Sequence, residues 1–157
     1  MDDLTIARAL HVAALVHWIG GVAMVTMVIL PGLRRAVPAP ERLRLFEAVE
    51  SRFARQARVS TLVAGLSGLW MVQRLDAWDR FADPRFWWLQ AMVALWALFT
   101  LMLFVAEPLI LHRWFHARAA RDADAAFALV QRLHVVLLAL GVATLAAGVL
   151  GAHGALP

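Results

Sequence analysis

Residues 6–30 read IARALHVAALVHWIGGVAMVTMVIL, an apolar run interrupted by one arginine, two histidines and one threonine. A helix needs about 20 mostly apolar residues to cross the hydrocarbon core of a bilayer. This stretch is long enough, and its composition is typical of a transmembrane helix. The sequence therefore predicts a first span over residues 6–30, ended by Pro31, Gly32 and the arginines that follow them.

Three further stretches repeat this pattern along the chain. The second predicted span, residues 56–73, continues an amphipathic, arginine-rich helix and is the least apolar of the four. The third covers residues 86–111, and the fourth covers residues 125–151. Short loops between such spans favour an up-and-down arrangement. We therefore expect an all-α fold, an integral membrane four-helix bundle that forms a single domain over residues 1–157.

The composition also favours lipid as the solvent of this chain. It is 62% hydrophobic and only 17% charged, whereas soluble domains are roughly 45–50% apolar and about 25% charged. A chain of 157 residues leaves much of its surface exposed in any fold, so a core cannot hide this excess. The absence of cysteine excludes disulfides, thiolate metal sites, c-type haem attachment and thiol catalysis.

Arginines are distributed unevenly between the two sides of the predicted bundle. Ten lie after the first span, at the start of the second helix, or after the third span: Arg34, Arg35, Arg42, Arg44, Arg52, Arg55, Arg58, Arg113, Arg118 and Arg121. The other side has four. The positive-inside rule then predicts that the arginine-rich side is cytoplasmic and that both termini lie on the outer side. We expect the membrane to be a bacterial-type inner membrane, so the outer side is periplasmic. Topology accounts for the net charge of +4, so we do not expect nucleic-acid binding.

Histidines are the main candidates for chemistry, because an imidazole in lipid needs a partner and is also a common metal and haem ligand. His11 and His17 fall in the first predicted span and His134 in the fourth. Six residues advance a helix by about 600°, so His11 and His17 point about 120° apart. Estimated depths place His17 and His134 within reach of one iron, and His11 roughly 15 Å from His134 along the membrane normal. Hydrogen bonding within the packed bundle is the alternative role for each.

Glu107 lies near the arginine-rich end of the third predicted span, where a carboxylate should be paired. Its candidate partners are Arg58 and Arg132, which are also candidates to bind haem propionates. A structural ion pair is one interpretation, and a proton relay or a contact to a propionate or quinone is the other. Met24 and Met27 could serve as Cu(I) ligands, although core packing is the simpler role for them.

Three short motifs lie along the first, second and fourth helices: residues 10–21 (LHVAALVHWIGG), residues 52–70 (RFARQARVSTLVAGLSGLW) and residues 132–134 (RLH). Together they resemble the copper resistance protein D (CopD) domain and related small haem-binding membrane proteins. The resemblance implies a four-helix bundle that binds haem b, with His11 and His134 as the histidines of the first and fourth helices. Depth favours His17 instead of His11, so all three remain candidates.

A second group, the membrane protoporphyrinogen oxidases of the HemJ type, shares the motif of the first helix. The chain departs from that group in two respects. Gln90 stands where a lysine is common on the third helix, and no Arg-x-x-Asn-Glu segment is present.

Three hypotheses about function follow from these observations. The first is a haem b membrane protein that transfers electrons, a membrane oxidoreductase if it catalyses a reaction. The second is copper transport or tolerance, and the third is a cofactor-free subunit of a larger membrane complex. The expected partners are the lipid bilayer, a quinone or redox protein, and a second copy of the chain.

Overall fold

The computed structural model describes residues 2–156, apart from the side chain of His112, and contains helices and turns but no strand in that range. This confirms the all-α class. Four long helical segments, named here α1 to α4, make up most of the described chain. They are α1, Asp3–Ala36; α2, Ala39–Arg74; α3, formed by Trp87–Leu101, Met102–Leu111 and His112–Ala119 in succession; and α4, Ala123–Ala152. Two short 3-10 turns, Asp79–Phe81 and Pro84–Phe86, precede α3.

The first helix is longer than predicted. Its expected end at Pro31 is wrong, because α1 continues to Ala36. A proline in a helix removes one backbone donor, and its ring clashes with the carbonyl four residues earlier. In α1 the segment Val25–Ile29 widens into a π-helix, and the Leu30 N–H donates to the Val25 carbonyl five residues before it. The wider turn makes room for the proline ring, so the helix continues through it.

The second helix is continuous from its arginine-rich start into its apolar end, as predicted. Small side chains dominate its buried face: Ala54, Ala57, Ser60, Thr61, Ala64 and Ser67. Small residues let two helices approach closely, and α1 packs along α2 more extensively than any other pair of elements.

Three helical segments are long and apolar enough to cross a membrane: Asp3–Ala36, Pro84–Leu111 and Ala123–Ala152. α2 does not meet that criterion, because its first half carries many charges and leaves too short an apolar stretch. Its second half nevertheless exposes large apolar side chains as the other helices do. Leu66 is 68% exposed, close to the 67% of Val16 on α1 and of Leu109 on α3.

Two clusters of buried apolar side chains hold the helices together. The first joins Trp18, Ile19 and Val22 of α1 to Phe99 of α3. The second contains Val25, Leu30, Leu43, Phe46, Phe127 and Val130. Because this second cluster joins the later part of α1 to the beginnings of α2 and α4, the arginine-rich segments assemble at one end of the molecule. We call this the arginine-rich end.

Substitutions at two neighbouring glycines of α1, Gly20 and Gly21, can test how α1 packs on α2. A methyl group added at Gly21 would lie 2.0 Å from the ring of Phe53, which itself packs against both buried clusters. We therefore expect Gly21→Ala to lower the free energy of unfolding by roughly 1–3 kcal/mol, since overpacking must displace a constrained ring. Thermal unfolding of the purified protein, followed by circular dichroism, measures the change.

Gly20→Ala is the matched control, because nothing lies within 4 Å of a methyl group added at Gly20. Alanine is favoured over glycine in a helix by up to about 1 kcal/mol, so this variant should be as stable as the parent or more so. Equal stability of the two variants would contradict the packing of Phe53 on Gly21.

Candidate functional site

His11 lies at the interface between α1 and α2 and is half-buried. Its Nδ1 lies 2.9 Å from the Ala64 carbonyl oxygen and 3.1 Å from the Ser67 hydroxyl. A carbonyl oxygen only accepts, so Nδ1 carries the hydrogen and the lone pair is on Nε2. His11 also contacts Gly68, where an added methyl would meet Cε1 at 3.3 Å. The first candidate histidine is therefore oriented by the backbone of α2.

His17 also bonds to α2, but at a different level. Its Nδ1 lies 2.7 Å from the Ser60 hydroxyl, which also lies 3.2 Å from the Gln56 carbonyl oxygen. A serine hydroxyl has a single hydrogen, which Nδ1 at 2.7 Å can accept in place of the carbonyl at 3.2 Å, so this contact leaves both tautomers of His17 open. His17 is exposed, whereas the other two candidates are half-buried.

His134 lies on α4 and is half-buried near the arginine-rich end. Its Nδ1 donates to the Val130 carbonyl of its own helix at 2.9 Å. The ring of Phe46 packs edge-on against the imidazole, with 5.5 Å between ring centroids. The carbonyl oxygen of His134 lies 3.5 Å from the hydroxyl of Thr26 on α1, which places the backbone of His134 level with Thr26.

This position places His134 and His17 at different depths, whereas the predicted pairing on one iron assumed similar depths. Thr26 lies nine residues after His17 on the same helix, which corresponds to about 13 Å along the axis. The total distance along the axis from His11 to the level of Thr26 is larger, roughly 22 Å. The depth estimate was wrong because it ended α1 at residue 30. The helix in fact extends to Ala36, and the arginine-rich end therefore lies farther from His17.

The pair His11 and His134, which the resemblance to CopD implies, is not brought together either. His153, which follows the last residue of α4, donates from Nδ1 to the Val149 carbonyl of that helix at 2.8 Å. Among the described side chains, no group of three or more histidine, aspartate or glutamate residues could hold a metal ion. Each histidine of the three is therefore a separate candidate ligand.

The glycines of α4 do not leave an open face for a bound group. A methyl group at Gly141 would lie 2.9 Å from Ile19, and one at Gly148 would lie 2.8 Å from Met92. Side chains of α1 and α3 thus occupy the space over both positions. These glycines accommodate the packing of neighbouring helices.

The two methionines considered as copper ligands lie on the outer surface of α1. Met24 is 53% exposed and Met27 is 69% exposed. Their expected role in core packing is therefore wrong. The sequence pattern could not distinguish a buried methionine from an outward-facing one, because methionine occurs both in cores and on lipid-facing surfaces.

Glu107 pairs with Arg58, one of the two partners predicted for it. The guanidinium Nη2 lies 2.9 Å from the carboxylate Oε2, and the Arg58 Nε donates to the Leu103 carbonyl at 2.9 Å. Leu103 and Glu107 both belong to the π-helical part of α3, which also contains Pro108. Arg58 therefore links α2 to the irregular part of α3. The other predicted partner, Arg132, is exposed and forms no ion pair among the described residues.

A second carboxylate group near this pair has an unusual environment. Burial of Glu50 raises the pKa of its carboxyl to about 7, and the nearby carboxylates of Glu107 and Glu47 act in the same direction. Glu47 is itself paired with His116 at 2.9 Å. Glu50 lies before the predicted span of α2, among the segments of the arginine-rich end. The ionisation of its carboxyl therefore changes near neutral pH.

The polar partners on α2 were missed at the level of sequence. Ser60 and Ser67 are seven residues apart and so lie on one face of a helix. Small hydroxyl residues at this spacing, in a helix expected to pack beside two histidines, were the available signal. Which histidine bonds to which serine depends on how far α1 is shifted along α2, and the sequence does not give that shift.

Comparison of the chain with protein families, curated proteins and solved structures gives no match. The resemblance to CopD and HemJ proteins therefore rests on the motifs quoted above.

Glu50 generates a prediction about pH. A carboxyl with a higher pKa in the folded state than in the unfolded state lowers stability as pH rises from the unfolded value, and the loss is complete above the folded value. The pKa of the Glu50 carboxyl is 4.5 as a reference and about 7 in the folded protein. Stability is therefore lost over the pH range between these two values. Glu50→Gln should therefore stabilise the protein by roughly 1–3 kcal/mol at pH 8 and by less, about 1 kcal/mol at most, at pH 5.

Chemical unfolding of the two proteins at both pH values measures this difference. Glu41→Gln is the control, because Glu41 is exposed at the first turn of α2 and should change stability equally at both pH values. A Glu50→Gln effect that is the same at pH 5 and pH 8 would contradict the assignment.

Proposed function

We propose that this chain is an integral membrane protein of four spans, with α2 as the span of lowest hydropathy. Three helices have the required length and composition. The apolar half of α2 exposes Leu66 and Leu69 beside them, 68% and 54% respectively, and such surfaces are suited to lipid. The gathering of arginine-rich segments at one end supports a cytoplasmic location for that end and an outer location for both termini.

Single cysteines test this topology cleanly, because the chain has no cysteine of its own. Ala82→Cys lies in the turn region between α2 and α3, and Ala120→Cys lies between α3 and α4; both positions are exposed. In intact bacterial cells, a membrane-impermeant maleimide should label Ala82→Cys and should label Ala120→Cys only after permeabilisation. Labelling of both without permeabilisation would contradict the four-span arrangement.

We further propose that the bundle binds haem b through intramembrane histidines and has an electron-transfer role. The observation that carries this proposal is shared by His11, His17 and His134. In each, Nδ1 is hydrogen-bonded to an oxygen of the protein, and Nε2 has no hydrogen-bond partner among the described residues. Metal-ligating histidines are typically held in this way, because the bond at one nitrogen fixes the tautomer and the ring orientation for the other.

The surroundings favour separate ligands rather than one iron shared by two of these imidazoles. His17 is exposed, whereas the buried ring of Phe46 packs against His134. The Arg132 guanidinium has no acidic partner among the described residues and is available for a propionate. Haem, when bound, would supply one-electron redox chemistry, and burial by the chain would set its potential.

A buried donor near the middle of the bundle also supports a bound group. Trp18 is 2% exposed, yet its Nε1 has no hydrogen-bond partner in the described part of the chain. A buried polar atom of this kind calls for an explanation, and a ligand is one.

The reduced-minus-oxidised absorption spectrum of purified protein, expressed with added haem precursor, tests the proposal. We expect the bands of haem b in the parent protein and a loss of at least half of the bound haem in His17→Ala. His153→Ala, at the opposite end of α4 from His134, is the control and should retain the spectrum. The absence of haem bands in the parent protein would overturn the haem proposal and leave the membrane proposal intact.

A cofactor-free structural subunit is the second candidate. The observations that favour it are the hydrogen bonds already made by all three imidazoles and the filling of Gly141 and Gly148 by neighbouring side chains. In that case His11→Ala would lower the unfolding temperature by the same amount with and without added haemin. A ligand role for His11 instead predicts a stabilisation by haemin that the variant lacks.

A further inference from the structure

The two ends of the molecule carry charges of opposite sign. Eleven of the fifteen arginines, including Arg132, lie at the arginine-rich end together with six acidic residues. The opposite end has four arginines and five aspartates. The net charge is therefore about +5 at one end and −1 at the other, a separation that attracts anions to the first.

Many of these arginines have no acidic partner. Arg35, Arg44, Arg52, Arg113, Arg118 and Arg121 are exposed and form no ion pair among residues 2–156. The acids at this end are largely engaged. Asp124 pairs with Arg42, Glu107 with Arg58, and Asp122 accepts a hydrogen bond from the Ala125 N–H at 2.9 Å. The free positive charge is thus intrinsic to the fold.

Two of the unpaired arginines line a cleft where α3 ends and α4 begins. The cleft has a volume of about 410 Å³ and is lined by Trp114, Ala117, Arg118, Arg121, Asp122 and Ala125. The guanidinium of Arg118 lies over the ring of Trp114, 5.8 Å from its centroid. An apolar wall therefore lies directly beside two cationic groups.

The apolar wall continues toward the predicted membrane. Ile110 precedes Trp114 by one helical turn and is 58% exposed, and its neighbour Leu109 is 67% exposed. Residues four apart share a helix face. A molecule with an anionic head in the cleft could thus extend an acyl chain along Ile110 without leaving the protein surface.

We propose that this cleft binds the headgroup of an anionic phospholipid, with Arg118 and Arg121 on the phosphate and Trp114 at the boundary with the acyl chains. Guanidinium groups bind phosphate through charge-assisted, often bidentate hydrogen bonds. Tryptophan is favoured at the level of lipid headgroups. The proposal rests on the membrane part of the proposed function and is independent of haem.

Titration of phosphatidylglycerol into the full-length protein in zwitterionic detergent, read as the shift in unfolding temperature, tests it. Each arginine near an anionic lipid contributes about a fivefold gain in affinity. Arg118→Gln/Arg121→Gln should therefore weaken the apparent affinity by roughly 25-fold. If the double variant does not fold, Arg121→Gln alone should weaken it by about fivefold.

The matched control is Arg35→Gln/Arg44→Gln, which removes the same charge from the same end outside the cleft, and it should leave the affinity nearly unchanged. Phosphatidylcholine and inorganic phosphate should each give a much smaller shift. Equal weakening in the two double variants, or an equal shift with phosphatidylcholine, would overturn the site. A full shift with phosphate alone would also overturn it, in favour of a free-anion site.

Failure of the membrane proposal is a separate result. It would appear as release of the protein from membranes by alkaline carbonate, whatever its preference among lipids in detergent.

Discussion

The close contact between α1 and α2 is the constraint on which the rest of the molecule depends. α2 buries alanine, serine and threonine against α1, and Gly21 of α1 receives the ring of Phe53. Because most of the facing side chains are small and Gly21 leaves room for the one large ring, the two backbones come near enough for imidazoles to reach oxygens of the facing helix. Packing in lipid depends on such contacts, because burial of apolar surface provides little force between helices there.

The same contact explains the state of two candidate ligands. His11 and His17 point in different directions on α1, yet both bond to α2, one to Ala64 and Ser67 and the other to Ser60. In His11 the bond to the Ala64 carbonyl places the hydrogen on Nδ1 and leaves Nε2 as the basic nitrogen. Helix packing thus sets the tautomer that a metal ligand requires, and it does so whether or not a metal is bound. An imidazole of this kind suits both leading interpretations, a haem ligand and a packing residue.

Irregular helix geometry appears where prolines interrupt apolar segments. The π-helical turn of α1 precedes Pro31, and that of α3 contains Pro108. In the second case Arg58 donates to the Leu103 carbonyl and pairs with Glu107 within the widened segment. π-helical turns occur frequently at functional sites. Here the irregular segment lies beside Glu50, the carboxyl with a pKa of about 7, so the arginine-rich end combines an irregular helix with a group that titrates near neutrality.

The sequence by itself determined the helical class, the approximate positions of the apolar segments and the segregation of arginine to one end. These features depend on local composition and spacing, which need no knowledge of the partner helix. It also identified Arg58 as one of two partners for Glu107. Only the tertiary structure decided the depth of His134, the continuation of α1 past Pro31, and the outward position of Met24. Each of these depends on how far one helix is shifted and rotated relative to the next, and that offset is set by side-chain packing between segments distant in the chain.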